Sequence, residues 1–203
     1  MNRILGLAAL ALAALAPAVQ AQGSDTGNFL VRARATHLDS ANKDSTGLGL
    51  TVNNKTFLEV DATYFLTPSF AAELVLTYPQ KHTVSSKGAR IGTLKHLPPT
   101  LLAQYHHTVG ALRPYVGLGI NATNFSDVQW EPGVVAALKP NVKRMSYGAA
   151  FQIGADYTLG GGWLINVDVK KVQIKTDVSS AGTKVGSFKV DPVLASVGLG
   201  YRF

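Results

Sequence analysis

From Pro192 to Phe203 the chain alternates without a break. Val193, Ala195, Val197, Leu199, Tyr201 and Phe203 face one way, and Leu194, Ser196, Gly198, Gly200 and Arg202 the other. A period of two is a strand with one apolar face. The same alternation recurs upstream. Phe29, Val31, Ala33 and Ala35 oppose Leu30, Arg32, Arg34 and Thr36. Leu58, Val60, Ala62, Tyr64 and Leu66 oppose Phe57, Glu59, Asp61, Thr63 and Phe65, and Ala72, Leu74, Leu76 and Tyr78 oppose Glu73, Val75 and Thr77. Leu101, Ala103 and Tyr105 oppose Leu102, Gln104 and His106. Val116, Leu118 and Ile120 oppose Tyr115, Gly117, Gly119 and Asn121. Ala149, Phe151, Ile153, Ala155 and Tyr157 oppose Gln152, Gly154 and Asp156. Trp163, Ile165, Val167 and Val169 oppose Asn166, Asp168 and Lys170. The first set in each strand suits lipid, with Tyr64, Tyr78, Tyr157, Trp163 and Tyr201 near strand ends as interface anchors.

Three connections are tight and carry Pro or Gly: Thr67-Pro68-Ser69, Thr108-Val109-Gly110 and Leu159-Gly160-Gly161-Gly162. Four are long and polar, at about Asp39–Asn54, Gln80–Lys95, Ser126–Lys143 and Asp177–Ser187. Short and long alternate along the chain. The pattern predicts an all-β fold, an eight-stranded antiparallel up-and-down transmembrane β-barrel with short periplasmic turns and longer extracellular loops. The terminal Tyr201 and Phe203 fit the strand that must pair with the first, and they are the expected signal for barrel-assembly machinery during insertion.

The amino-terminal segment agrees with export to a Gram-negative outer membrane. Arg3, an apolar run from Ile4 to Leu15 and Val19-Gln20-Ala21 read as a signal peptide over Met1–Ala21, leaving residues 22–203 as the barrel domain. The run is too short to cross about 30 Å of hydrocarbon comfortably. The chain has no cysteine, which removes thiol catalysis, thiolate metal sites and disulfides. Net charge is +7, but the lysines fall mostly in expected loops (Lys43, Lys55, Lys81, Lys87, Lys139, Lys143, Lys184), with no basic helix or aromatic-interleaved stripe. Such loops suit the phosphates of lipopolysaccharide at the cell surface and do not suit nucleic acid.

The inward faces carry the candidate chemistry. Arg32 and Arg34 on the first strand neighbour Glu59 and Asp61 on the second and Glu73 on the third, so a polar lumen network is expected toward the middle or periplasmic half. It reads either as an ion path or as a structural plug, since buried charges persist only when paired. The same faces carry Leu30, Phe57, Phe65, Val75, Leu102 and Tyr115, an apolar lumen lining that a hydrated pore has no use for.

Leu97-Pro98-Pro99-Thr100 leads into the fourth strand, and the third leaves through Tyr78-Pro79. Each proline removes a ladder donor. The ladder between these strands is expected to part toward its outer end, either as a strand boundary at the membrane surface or as a lateral opening, with His96 as a gate residue beside it.

Two segments, Lys95-His96-Leu97-Pro98-Pro99-Thr100-Leu101-Leu102-Ala103-Gln104-Tyr105 and Arg113-Pro114-Tyr115-Val116-Gly117-Leu118-Gly119-Ile120-Asn121, closely resemble the OmpW family of outer-membrane proteins. Glu73-Leu74 with Pro79, Asp156-Tyr157, Trp163-Leu164 and the terminal Gly200-Tyr201-Arg202-Phe203 fit the same family. The resemblance implies an eight-stranded barrel with a narrow, largely hydrophobic channel for small hydrophobic molecules, and lateral release mapping to Pro98 and Pro99.

The competing readings are weaker on the residues. His37, His82, His96, His106 and His107 with Ser85, Ser86, Glu59 or Asp127 supply hydrolase residue types, but no G-x-S-x-G motif occurs. No enzyme activity, cofactor or metal is expected; the adjacent His106 and His107 point to opposite faces. The rival to a channel is a structural or adhesive barrel without transport. The expected partners are outer-membrane lipid and lipopolysaccharide, a small hydrophobic solute and the assembly machinery.

Overall fold

The structure, a computed structural model, describes residues 27–203; the expected signal peptide lies outside the described residues. In chain order the strands are β1 (Phe29–Asp39), β2 (Lys43–Asp44), β3 (Leu50–Val52), β4 (Lys55–Phe65), β5 (Phe70–Thr77), β6 (Gln80–Ser86), β7 (Ala89–Leu97), β8 (Thr100–His106) and β9 (Leu112–Trp130). A short helix α1 (Pro132–Leu138) follows, then β10 (Pro140–Val142), β11 (Met145–Gly160), β12 (Trp163–Val172), β13 (Lys175–Ser180), β14 (Thr183–Lys189) and β15 (Val193–Arg202).

Eight of these strands form the wall, in the order β11-β12-β15-β1-β4-β5-β8-β9, and β9 pairs back onto β11 to close it. The first and last strands meet antiparallel, with Val31 opposite Tyr201 and Arg34 opposite Gly198. Phe203 takes part directly: the Phe29 N–H donates to its carbonyl at 3.0 Å, its own N–H donates to the Phe29 carbonyl at 2.8 Å, and the two rings stack. Among the described residues every wall strand is paired on both sides, as a chain crossing hydrocarbon on strands requires.

The turns follow the residues that were expected to make them. Thr67 Oγ1 accepts the Phe70 N–H at 2.9 Å, closing the Thr67–Ser69 turn. Gly160, Gly161 and Gly162 have φ of 98°, 58° and 82°, a left-handed run that only glycine adopts without strain. Outward positions on every wall strand are apolar and largely exposed, among them Leu58, Leu66, Leu118, Ile120, Ile153 and Val197. Tyr64, Phe70, Tyr105, Tyr157, Trp163, Tyr201 and Phe203 ring the periplasmic end, and Tyr78 and Tyr147 stand near the outer one.

The long connections differ from the expectation of polar loops. Gln80–Lys95 is mostly a hairpin, β6 against β7, which carries the wall upward beside the outer end of β9. β10, β13, β14 and β2 form a second, four-stranded sheet, and α1 starts on Pro132 and ends at Lys139, whose φ is 42°. These strands stand beyond the hydrocarbon, so their outer faces are polar (Lys81, Thr83, Lys95). A polar-out strand outside the bilayer lacks the apolar stripe that marked the others.

A narrow barrel has room for large inward side chains only where the opposite strand gives it. Across the β1–β15 ladder Arg32 faces Gly200 and Arg34 faces Gly198. A Cβ at Gly198 would stand 2.1 Å from the Ala33 carbonyl oxygen and 2.8 Å from Arg34 Cγ. Gly198→Val is therefore expected to block closure. The readout is loss of the compact, SDS-resistant band on unheated gels, and a variant that folds normally would refute the crowding argument.

Candidate functional site

The lumen is layered. Its middle holds one ionic network whose charged side chains come from five wall strands. Arg32 forks onto Asp156 (Nε–Oδ1 3.1 Å, Nη2–Oδ2 2.7 Å) and also donates to Asp61 and Thr63, each at 2.9 Å. Arg34 pairs with Glu59 at 3.0 Å, Asp61 at 2.8 Å and Glu73 at 3.0 Å. Lys170 donates to Glu59 at 2.9 Å and to Asp168 at 2.6 Å. Neutral groups fill the remaining sites. Gln104 and Gln152 donate to Glu73 Oε2 at 2.9 and 2.8 Å, and the Tyr115 hydroxyl donates to Asp168 at 2.8 Å. All of these side chains are buried.

The five charged residues singled out from sequence thus meet in one place, and three partners complete them: Asp156, Asp168 and Lys170. These three also occupy inward positions of alternating strands. The missing signal was closure, because β11 and β12 reach Arg32 and Glu59 only across the lumen. Every carboxylate in the layer touches a cation, which is the condition for keeping charges out of water.

Below the network, toward the short turns, Leu30, Phe65, Ala71 and Leu164 form a small apolar cluster. The guanidinium carbons of Arg113 and Arg202 stand 4.3 and 4.1 Å from the Phe65 ring centroid, within cation–π range. Arg113 also donates to the Pro68 carbonyl and Arg202 to that of Gly27. A space of about 40 Å³ remains at the periplasmic end, bounded by Leu30, Arg113, Asp156, Leu164 and Arg202.

Above the network lies a larger apolar cluster that includes Leu38, Phe57, Val75, Leu94, Leu102, Phe125, Val172, Ile174 and Leu194. The apolar lining expected from sequence is therefore not one continuous surface. Phe57, Val75 and Leu102 belong to the upper cluster, whereas Leu30 and Phe65 lie beneath the charges and Tyr115 is a member of the ionic layer. Alternation fixes which face a residue takes; it does not fix its height in a tilted barrel.

The proline region marks a seam. Pairing of β5 with β8 ends at Val75–Thr100. Leu76 and Thr77 keep their partners on β4, but among the described residues they pair with nothing on the β8 side. The next pairing in that direction is Gln80 with His96, in the hairpin above. Pro79 and Pro98–Pro99 occupy the interval. On its other flank Pro99 is held, its carbonyl accepting the Ala122 N–H and the Asn121 side-chain amide, each at 3.1 Å.

His96 sits above the seam, its ring stacked on His82 with centroids 4.6 Å apart and planes 12° from parallel. Outward Lys81 and Lys95 place this hairpin above the hydrocarbon. Burial, helped by neighbouring His82, holds the His96 imidazole down to about 3, so it is neutral at ordinary pH. His82 is lowered for the same first reason, burial, although the Asn53 carbonyl at 2.9 Å opposes it.

Two cavities flank the seam. Inside, a space of about 20 Å³ is bounded by Phe57, Val75, His96, Pro98 and Thr100, with Glu59 and Lys170 among its walls. That is room for about one water. Outside, an apolar groove of about 590 Å³ runs past Leu74, Pro99, Thr100, Leu101, Ile120 and Tyr147 on the lipid-facing wall. Thr100 lines both.

Comparison with known proteins agrees with this architecture. The chain is 35% identical over 213 residues to outer membrane protein W of Escherichia coli (strain K12), covering 96% of this chain and 99% of that protein. Its structure is similar to the crystal structure of OprG from Pseudomonas aeruginosa, with a TM-score of 0.77 and 30% identity over 89% of this chain and 98% of that one. A more distant relative, 29% identical over 57% of this chain and 54% of its own length, is the dibenzothiophene metabolism operon protein PahQ of Pseudomonas aeruginosa. Residues 25–203 match the OmpW family, and this chain, an outer-membrane β-barrel, belongs to it.

Proposed function

We propose that the barrel admits small hydrophobic molecules from the cell surface and releases them sideways into the outer membrane. The observation that carries this reading is the position of Thr100 and its two preceding prolines. They form the wall between a cavity on the inside and an apolar groove on the lipid side, at the height where the β5–β8 ladder ends. A solute entering from outside meets apolar side chains first: Leu38, Phe57, Val75 and Leu94. It is then stopped by Lys170, Glu59 and the arginine network. Sideways is the direction of least cost, since only side-chain packing opposes it there. The relative named for a dibenzothiophene operon supports the same solute class, because dibenzothiophene is a fused aromatic without a hydrogen-bond donor.

The upper cluster is packed, so entry requires Phe57, Leu38 and their neighbours to change rotamer. That packing favours a second reading, a structural or adhesive barrel that transports nothing. Entry of a fluorescent hydrophobic dye into intact cells separates the two. Cells carrying the protein are expected to take up dye faster than cells lacking it, and equal rates at confirmed surface expression would select the second reading. Intact cells matter because such dyes cross plain lipid unaided.

A further inference from the structure

A row of three lysines crosses the four-stranded sheet above the membrane. Lys175 on β13 stands directly opposite Lys189 on β14, and Lys189 directly opposite Lys43 on β2. All three are exposed, while Thr176, Val178 and Phe188 of the same strands point inward and are buried. Directly opposed side chains on neighbouring strands stand about 5 Å apart at Cβ, and like charges so placed destabilise a sheet.

Among the described residues the repulsion is offset only in part, by Asp177 at the next outward position of β13, which feels the Lys175 charge but is itself paired with Lys184. Among the described residues none of the three lysines is in an ion pair; the exposed pairs are Arg90–Glu131, Lys95–Asp127 and Lys184–Asp177. The carboxylates closest in sequence are occupied elsewhere. Asp44 accepts from the Thr46 and Leu50 N–H groups at 2.9 and 3.1 Å, and Asp191 from the Ile174 N–H at 2.9 Å. Asp39 accepts from the Asn54 amide at 2.6 Å.

The height of the row identifies the missing anion. Outward apolar positions on this side end at Val169 and Val193, with Lys171 opposite Val193 at the rim. Lys175 lies four residues farther, about 13 Å along the chain. A surface just above the hydrocarbon stands against the headgroups of the outer leaflet.

We propose that Lys43, Lys175 and Lys189 form a binding site for the phosphate groups of a phosphorylated glycolipid, the lipopolysaccharide of the outer leaflet. Ammonium groups act here as point charges on phosphate oxygen, and headgroup phosphates seated between neighbouring lysines relieve both repulsions in the row. The site is independent of transport: it fixes how the barrel sits in its lipid.

The test uses the full refolded barrel in neutral detergent, with native mass spectrometry of bound lipid A carrying both phosphates. Lys43→Gln/Lys175→Gln/Lys189→Gln is expected to weaken retention about 100-fold, at about 5-fold per lysine. Lys81→Gln/Lys87→Gln/Lys139→Gln removes the same charge elsewhere and is expected to change it less than about 5-fold. Lipid A stripped of phosphate should bind both variants and the parent equally, and inorganic phosphate alone should not compete at millimolar concentration. Without lipid, the row variant should be at least as stable as the parent, because a repulsion has been removed. Equal losses in the two triple variants would reduce the effect to net charge and overturn the site. So would unchanged retention in the row variant, or competition by inorganic phosphate. Should the triple variant fail to refold, the central Lys189→Gln alone carries the test, with about a 5-fold loss expected and no change refuting the proposal.

Discussion

Arg34→Met is expected to lower the unfolding free energy of the refolded barrel by about 3–5 kcal/mol, the usual consequence of removing one partner from a buried ionic cluster. Arg34 is wholly buried and touches Glu59, Asp61 and Glu73. Methionine fills much of the space but leaves these carboxylates with only Lys170, Arg32 and the two glutamines. Urea titration followed by tryptophan fluorescence measures the change. The double variant Arg34→Met/Glu73→Gln is expected to recover part of the loss, because one unpaired charge goes with its partner. Lys184→Gln, which breaks an exposed pair with Asp177, should leave the midpoint where it is. A methionine variant as stable as the parent would mean that the network is not the plug that holds the lumen.

The second large effect concerns the seam. Pro98→Val/Pro99→Val restores two N–H groups, and because successive N–H groups on a strand point to opposite sides, one of them faces β5. Leu76 and Thr77 then have a donor to meet, and the ladder can run past Val75–Thr100 toward the hairpin. Valine also favours the extended wall. Under lateral release, dye entry should fall toward the rate of cells lacking the protein, while the folded band stays intact. Entry unchanged in the correctly folded variant would sink the sideways route.

Much of this site was legible in the chain because a one-layer wall obeys a period of two. Arg32 and Arg34 with Glu59 and Asp61 could be paired on paper, since β1 and β4 are neighbours in both sequence and space. Asp156, Asp168 and Lys170 sat on inward faces in plain view, but their partners lie 124, 134 and 111 residues away and meet them only when the cylinder shuts. The same limit left the depth of Leu30 and Phe65 open, because alternation carries no information on depth. The hairpin Gln80–Leu97 and the sheet holding Lys43, Lys175 and Lys189 read as loops for a different reason. Outside hydrocarbon a strand needs no apolar outer face, so the signal that marked the wall was absent there. The prolines behaved as local chemistry requires, since a residue without N–H cannot extend a ladder whatever surrounds it.

The central claim is that solute leaves through the interval between Thr77 and Pro98, and the lack of native cysteine allows that interval to be stapled in a single molecule. The measurement is dye entry into cells bearing Tyr78→Cys/Leu97→Cys, which closes the interval at its upper end and leaves Pro98 and Pro99 in place, before and after a reductant, with the cross-link followed by gel mobility. The account predicts slow entry while the disulfide is closed and entry at the parental rate once it is reduced. Equal entry in the two states, with the cross-link demonstrably formed and then broken, would contradict it.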